Sequence, residues 1–157
     1  MTQPKPPTGI KAFFWRLPIW IFRLRLDFLL GKRMMLLRHI GRSSGKERMA
    51  VIEVARYDAA TDTYYACSGF GQQSNWYRNI GAHPDVTIRV GGQDHAVTAE
   101  QLSPAASGEE MVRYATTHPN LARRLAQVIG YEPPESLDGF RSLAAEKMPF
   151  VAFRRRA

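Results

Sequence analysis

The chain has 157 residues and a formal net charge of +8. That length suits one domain with a core of its own, and an apolar fraction of 45% excludes a disordered chain. A single cysteine excludes a disulfide framework and a cysteine-based metal cage, and it suits a reducing cytoplasm.

Residues 1–9 are Pro-rich and polar and read as a disordered lead-in; 10–157 read as one domain. Segment 10–30 carries six of the 17 aromatic residues, interrupted by Lys11, Arg16, Arg23, Arg25 and Asp27. It lacks the uncharged apolar run of a membrane span and the small-residue cleavage site of a signal peptide. It predicts one amphipathic helix, broken or kinked near Pro18. Met34 to Ile40 reads as a strand, 41–46 as a turn, and 48–57 as a second strand. Residues 63–68 form a third, and Ser74 is placed to N-cap a short helix with Trp76 and Tyr77. Val86, Ile88 and Val90 alternate with polar residues, and Gly91-Gly92 predicts a hairpin back through 94–102. A helical region follows from Ser103-Pro104 to Gly130, restarted at Pro119. Residues 135–147 form another helix and Phe150 to Phe153 a closing strand. The class is α+β, mainly β: about six antiparallel strands in hairpin order, with an N-terminal helix and C-terminal helices. Such meanders close into barrels or sandwiches.

Charge is concentrated at the ends. Residues 1–48 hold 11 basic and 2 acidic side chains, 49–153 hold 8 and 12, and Arg154, Arg155 and Arg156 close the chain. The turn Gly41-Arg42-Ser43-Ser44-Gly45-Lys46-Glu47-Arg48 combines glycines, hydroxyls and three cations, the chemistry of an anion cradle. A solvated hairpin turn is the other reading of the same residues. Gly69-Phe70-Gly71-Gln72-Gln73-Ser74 resembles a dinucleotide fingerprint, but its third glycine is missing and its surroundings are antiparallel. Trp76 and Tyr77 either wall a flat ring or plug a barrel end. His39, His83, His95 and His118 lack metal-ligand spacing and read as surface or satisfied polar residues, and Cys67 reads as core. No metal site is expected. Without an acid–base constellation of its own, the chain needs a cofactor for any reaction.

The turn at 41–48 together with YYACSGFGQQSNWYRNIGAHPDVTIRVG at 64–91 resembles the deazaflavin-dependent nitroreductase family. The resemblance spans roughly residues 33–102. It implies a split β-barrel of the FMN-binding type and coenzyme F420 as cofactor. It assigns the coenzyme's phosphate to Arg42, Ser43, Ser44 and Arg48. It places Met49, Ala50, Val51, Ile52 and Glu53 under the ring, and Ala66, Cys67, Ser68 and Gly69 along the deazaflavin. Asn75, Trp76, Tyr77, Arg78 and Asn79 would close the pocket. The family often has Lys where Ser43 stands, with Lys46 as the compensating charge here. The nitroimidazole-activating member has three tyrosines where a rough alignment places His118, Leu121 and Arg124, which argues against that activity.

The implied reaction is hydride transfer from the reduced deazaflavin to an electron-poor small molecule: an enone, a quinone or a nitro compound. Ser68 is the candidate hydrogen-bonding catalytic residue, with Tyr114 and Tyr131 as candidate substrate contacts. An FMN enzyme on the same barrel and a non-catalytic coenzyme-binding or membrane-surface protein are the alternatives. The aromatic and basic residues of 10–33 suit an anionic membrane surface, or equally a helix packed on the barrel. Nucleic acid is disfavoured, because no recognised motif accompanies the charge. The expected state is a monomer or homodimer in the cytoplasm, with the inner face of the cell membrane as a peripheral site.

Overall fold

Met34–Ile40 (β1) and Glu47–Glu53 (β2) form an antiparallel hairpin in the computed structural model, which describes residues 4, 5, 8 and 19–157. Five further strands follow: Arg56–Asp58 (β3), Thr63–Cys67 (β4), Asp85–Val90 (β5), Gln93–Gln101 (β6) and Phe150–Arg155 (β7). All pairings are antiparallel, in the order β2-β1-β5-β6-β7-β4-β3. The sheet curls until β2 meets β4, giving the split barrel expected from the sequence. Gly91 and Gly92, at φ 56 and 79, make the β5–β6 hairpin turn.

The strand expected over 48–57 is two strands, so the sheet has seven rather than six. The break is at Val54-Ala55. The Val54 N–H donates to the Arg33 carbonyl at 2.7 Å, and the Ala55 N–H to the Tyr65 carbonyl at 2.9 Å. Adjacent residues thus bond to opposite ends of the curled sheet. The extended run is unbroken in sequence, so its change of partner is invisible there.

The helix expected over 10–30 also ends early. Its first part, with Pro18, lies outside the described residues, as does most of the 1–9 lead-in. Residues 19–23 are helical. Arg25 then takes a left-handed φ of 57, with Arg25 N–H donating to the Phe22 carbonyl and Leu26 N–H to the Ile21 carbonyl. This is a Schellman termination, here without the usual glycine. A separate 3-10 turn, Asp27–Leu30, follows. Its Asp27 is buried and pairs with Arg89 Nε at 3.0 Å, fastening the turn to β5.

Four helices complete the fold: α1 (Asn75–Ala82), α2 (Pro104–Thr117), α3 (Pro119–Ile129) and α4 (Leu137–Glu146). The Ser103 side chain caps α2 by accepting from the Ala106 N–H, with Pro104 in the first turn. Ser74 stands at the N-cap of α1, but its side chain makes no capping bond.

Two apolar clusters share β4 and β7. Tyr64, Ala66, Val151 and Phe153 point into the barrel with Met35, Leu37 and Ile88. Cys67 and Phe150 point the other way, into a cluster with Met111, Tyr114, Ala126 and Phe140 from the helices. Period-two alternation therefore feeds both cores from the same strands. The C-terminal arginines are spent on the fold: Arg154 pairs with Glu100, Arg155 with Asp62 and Arg156 with Asp85.

Candidate active site

The β1–β2 hairpin, helix α1 and helix α3 enclose a cleft of about 1110 Å³. Its mouth is the turn 41–46. Gly41 N–H donates to the Lys46 carbonyl at 2.8 Å, Gly45 N–H to the Gly41 carbonyl at 2.9 Å, and Lys46 N–H to Ser44 Oγ at 3.2 Å. Gly45 has φ 67, which glycine adopts without strain. A Cβ on Gly41 would stand 2.5 Å from Ser44 Oγ, so the bare backbone there leaves room for the hydroxyl.

Arg42 is aimed by helix α1. Its backbone N–H donates to Asn79 Oδ1 at 3.1 Å and its Nη1 to the same oxygen at 2.8 Å. Both guanidinium nitrogens also donate to Asn75 Oδ1 at 3.4 Å. These partners are neutral amides. Neither Arg42 nor Arg48 has an ion-pair partner among the described residues. The mouth therefore keeps its positive charge while its side chains are held in place, which fits an anionic group.

Most of the residues expected from sequence come together here. Arg42, Ser43, Ser44 and Arg48 line the mouth, and Met49, Ala50, Val51, Ile52 and Glu53 all line the wall. Cys67, Gly69, Asn75, Trp76, Asn79 and Tyr114 line it too. Five expected residues lie elsewhere. Ala66 faces the barrel core. Ser68 is fully buried, its Oγ donating to the Gly71 carbonyl at 2.7 Å, so its hydroxyl is committed to shaping the loop. Tyr77 plugs the barrel, edge-on to Trp76, which packs on the same core and lines the cleft. Arg78 is exposed outside the cleft. Tyr131 packs among the helices, its buried hydroxyl without a hydrogen-bond partner among the described residues.

The inner wall carries a hydrogen-bonded pair. Tyr114 Oη donates to Glu53 Oε1 at 2.9 Å. Burial, reinforced by the Glu53 charge, pushes the Tyr114 hydroxyl well above its ordinary range. Burial likewise pushes up the Cys67 thiol, which donates to the Met148 carbonyl at 3.5 Å and lines the cleft wall.

Among the lining residues that sequence reasoning did not assign to the site are one face of α3, of which only Leu121 and Arg124 were named through the rough alignment, and His39. Leu121, Arg124, Leu125, Val128 and Ile129 recur at helical spacing and all face the cleft. That periodicity is legible, but it reads equally as a core stripe. His39 is buried and also lines the cleft. No cluster of three or more His, Cys, Asp or Glu side chains suited to a metal ion occurs among the described residues.

Comparison with solved structures places the fold. An F420-H2 dependent reductase, FDR-A, superposes with a TM-score of 0.54 at 16% identity, over 79% of this chain and 96% of that one. A structure described as a domain-swapped dimer gives 0.54 at 16% identity, over 87% and 99%. A pyridoxamine 5'-phosphate oxidase-related, FMN-binding protein from Nostoc punctiforme gives 0.54 at 13% identity, over 90% and 80%. At these identities the likeness establishes the fold. No curated protein matches the chain. The model of the F420H(2)-dependent quinone reductase family matches residues 26–127, more than half of the sequence. The chain belongs to that family, and is an oxidoreductase with coenzyme F420 as its cofactor.

Proposed function

We propose that the cleft is the site where reduced coenzyme F420 and an electron-poor small molecule meet. The observation that carries this is Arg42, fixed by two neutral amides at the cleft mouth and without an ion-pair partner among the described residues. Arg42, Ser43, Ser44 and Arg48 would hold the coenzyme's phosphate. Met49 to Glu53, Cys67 and Gly69 would line the ring, and Trp76 would close one side. Ala66, Ser68 and Tyr77 support that wall from behind. When bound, the reduced deazaflavin supplies a hydride to the acceptor: a quinone, as in the family's description, or an enone or nitro compound. The protein positions the two reactants and excludes water with the apolar face of α3. Tyr114 keeps its own proton, donates it in a hydrogen bond to the Glu53 carboxylate, and presents a fixed polar edge on the substrate side.

Titration of the purified protein with coenzyme F420 tests the reading. Binding in the micromolar range is expected, with Arg42→Ala weakening it about tenfold or more, the scale of a lost charge-assisted hydrogen bond. Equal affinities for the two proteins would overturn it. FMN on the same turn is the second reading, favoured by the shared barrel of the FMN-binding neighbour. A flavin spectrum in the protein as purified would select it.

A peripheral role at the inner face of the cell membrane has its own support. Trp20, Leu24, Leu26 and Leu29 are exposed beside Arg23 and Arg25. A homodimer is favoured by the domain-swapped dimer among the structural neighbours.

A further inference from the structure

His39 has no task in the reading above, yet it stands directly behind the cradle. It lies across from Arg48 in the β1–β2 register and is only 4% exposed. Its environment fixes its chemistry. Asn79 receives two donations from Arg42, one from the backbone N–H and one from the guanidinium. Neither donor has a lone pair, so the Asn79 atom facing them is the carbonyl oxygen, and the amide nitrogen faces away. There it meets His39 Nδ1 at 3.1 Å. An amide NH₂ only donates, so Nδ1 must be unprotonated and the ring proton must sit on Nε2. A second ring proton is opposed from several sides. Burial disfavours it most, then Arg48 from β2, and the pKa is pulled down to about 4. Arg42 from the turn adds a further positive charge to the same cleft, whose carboxylates are Glu47 and Glu53, the latter bonded to Tyr114.

We propose that His39 is a positioning residue of the anion cradle: its unprotonated Nδ1 locks the orientation of the Asn79 amide, and that amide holds Arg42 toward the mouth. The proposal rests on the reading of the 41–48 turn as the coenzyme's anion site. A chain of three side chains, His39 to Asn79 to Arg42, thus runs from the barrel wall to the ligand. If the Asn79 amide turned over, its NH₂ would face the Arg42 donors, and the guanidinium would lose its closest acceptor. His39 opposes this: with its proton on Nε2 it offers an acceptor only to the correct orientation, and the turned amide would also need the ring proton moved to Nδ1.

The test has two arms. The first is a long-range 1H–15N spectrum of the wild-type protein without coenzyme at pH 7. His39 is expected as the neutral Nε2–H tautomer; an Nδ1–H tautomer or an imidazolium would overturn the proposal. The second is a coenzyme F420 titration of wild type, His39→Phe and His39→Asn. Phe removes the acceptor, and affinity should fall about tenfold. Asn places an amide oxygen near the position of Nδ1 and should recover affinity to within about threefold of wild type. Equal loss in both variants, or no loss with Phe, would overturn it. Should His39→Phe not fold, the tautomer and the His39→Asn affinity still decide. Failure of the wild type to bind the coenzyme would instead remove the coenzyme reading, and the tautomer would stand on its own.

Discussion

Asn79 shows how one side chain can serve both fold and site. It is buried, its oxygen is taken by Arg42 and its nitrogen by His39, so little of its hydrogen-bonding capacity is unused. The same geometry makes His39 an acid-sensitive point. The folded protein holds its pKa near 4 against an ordinary 6.5. Between those values the unfolded chain takes up a proton that the folded chain refuses. His39 therefore costs nothing above pH 6.5 and destabilises progressively as pH falls toward 4. His95, lowered by burial and by Arg155, acts in the same direction. The urea midpoint of wild type should drop from pH 7 to pH 5, and His39→Asn should drop less. Identical slopes would show that His39 titrates normally.

At the scale of elements, the β1–β2 turn is where conformation and chemistry coincide. Gly45 and Gly92 both have a positive φ and open space where a Cβ would stand. Alanine at either should cost about 1 kcal/mol for the left-handed backbone alone. Only Gly45→Ala should also weaken F420 binding, because only that turn carries Arg42 and Ser44. Comparing urea midpoints and coenzyme affinities of the two variants separates the effects; equal loss of affinity would contradict the assignment of the site. The turn itself was legible in its glycines, but the same residues read as an anion cradle or as a solvated hairpin until the family resemblance favoured the cradle. The alternation of Val86, Ile88 and Val90 was legible as a local pattern. The change of partners at Val54-Ala55 was not, since extended backbone looks alike on either edge of a sheet. The cleft face of α3 was hidden because an apolar stripe does not say whether it meets a core or a ligand. Ser68 came to the ring wall only through the family resemblance, and the loop after β4 turns its hydroxyl inward onto the Gly71 carbonyl.

Over the whole molecule, the net charge of +8 divides into parts with different fates. The three terminal arginines pair with acids on the barrel. Arg42 and Arg48 of the 41–48 turn line the cleft mouth. Arg23 and Arg25 belong to the segment that also exposes Trp20, Leu24 and Leu29. Vesicles containing anionic lipid should therefore retain the protein more than neutral vesicles, and Trp20→Ala with Leu24→Ser should reduce retention severalfold. Equal partitioning of variant and wild type would assign this face to another contact.

Strands β4 and β7 are buried on both faces, one in the barrel and one beneath the helices. Neither core can be lost without stripping a face from the strands on which the other is built. Heat or denaturant should therefore meet a single cooperative unit, with barrel and helical cover melting at one midpoint. Because the cleft is walled by elements of both halves, coenzyme binding should raise that one midpoint rather than protect either part alone.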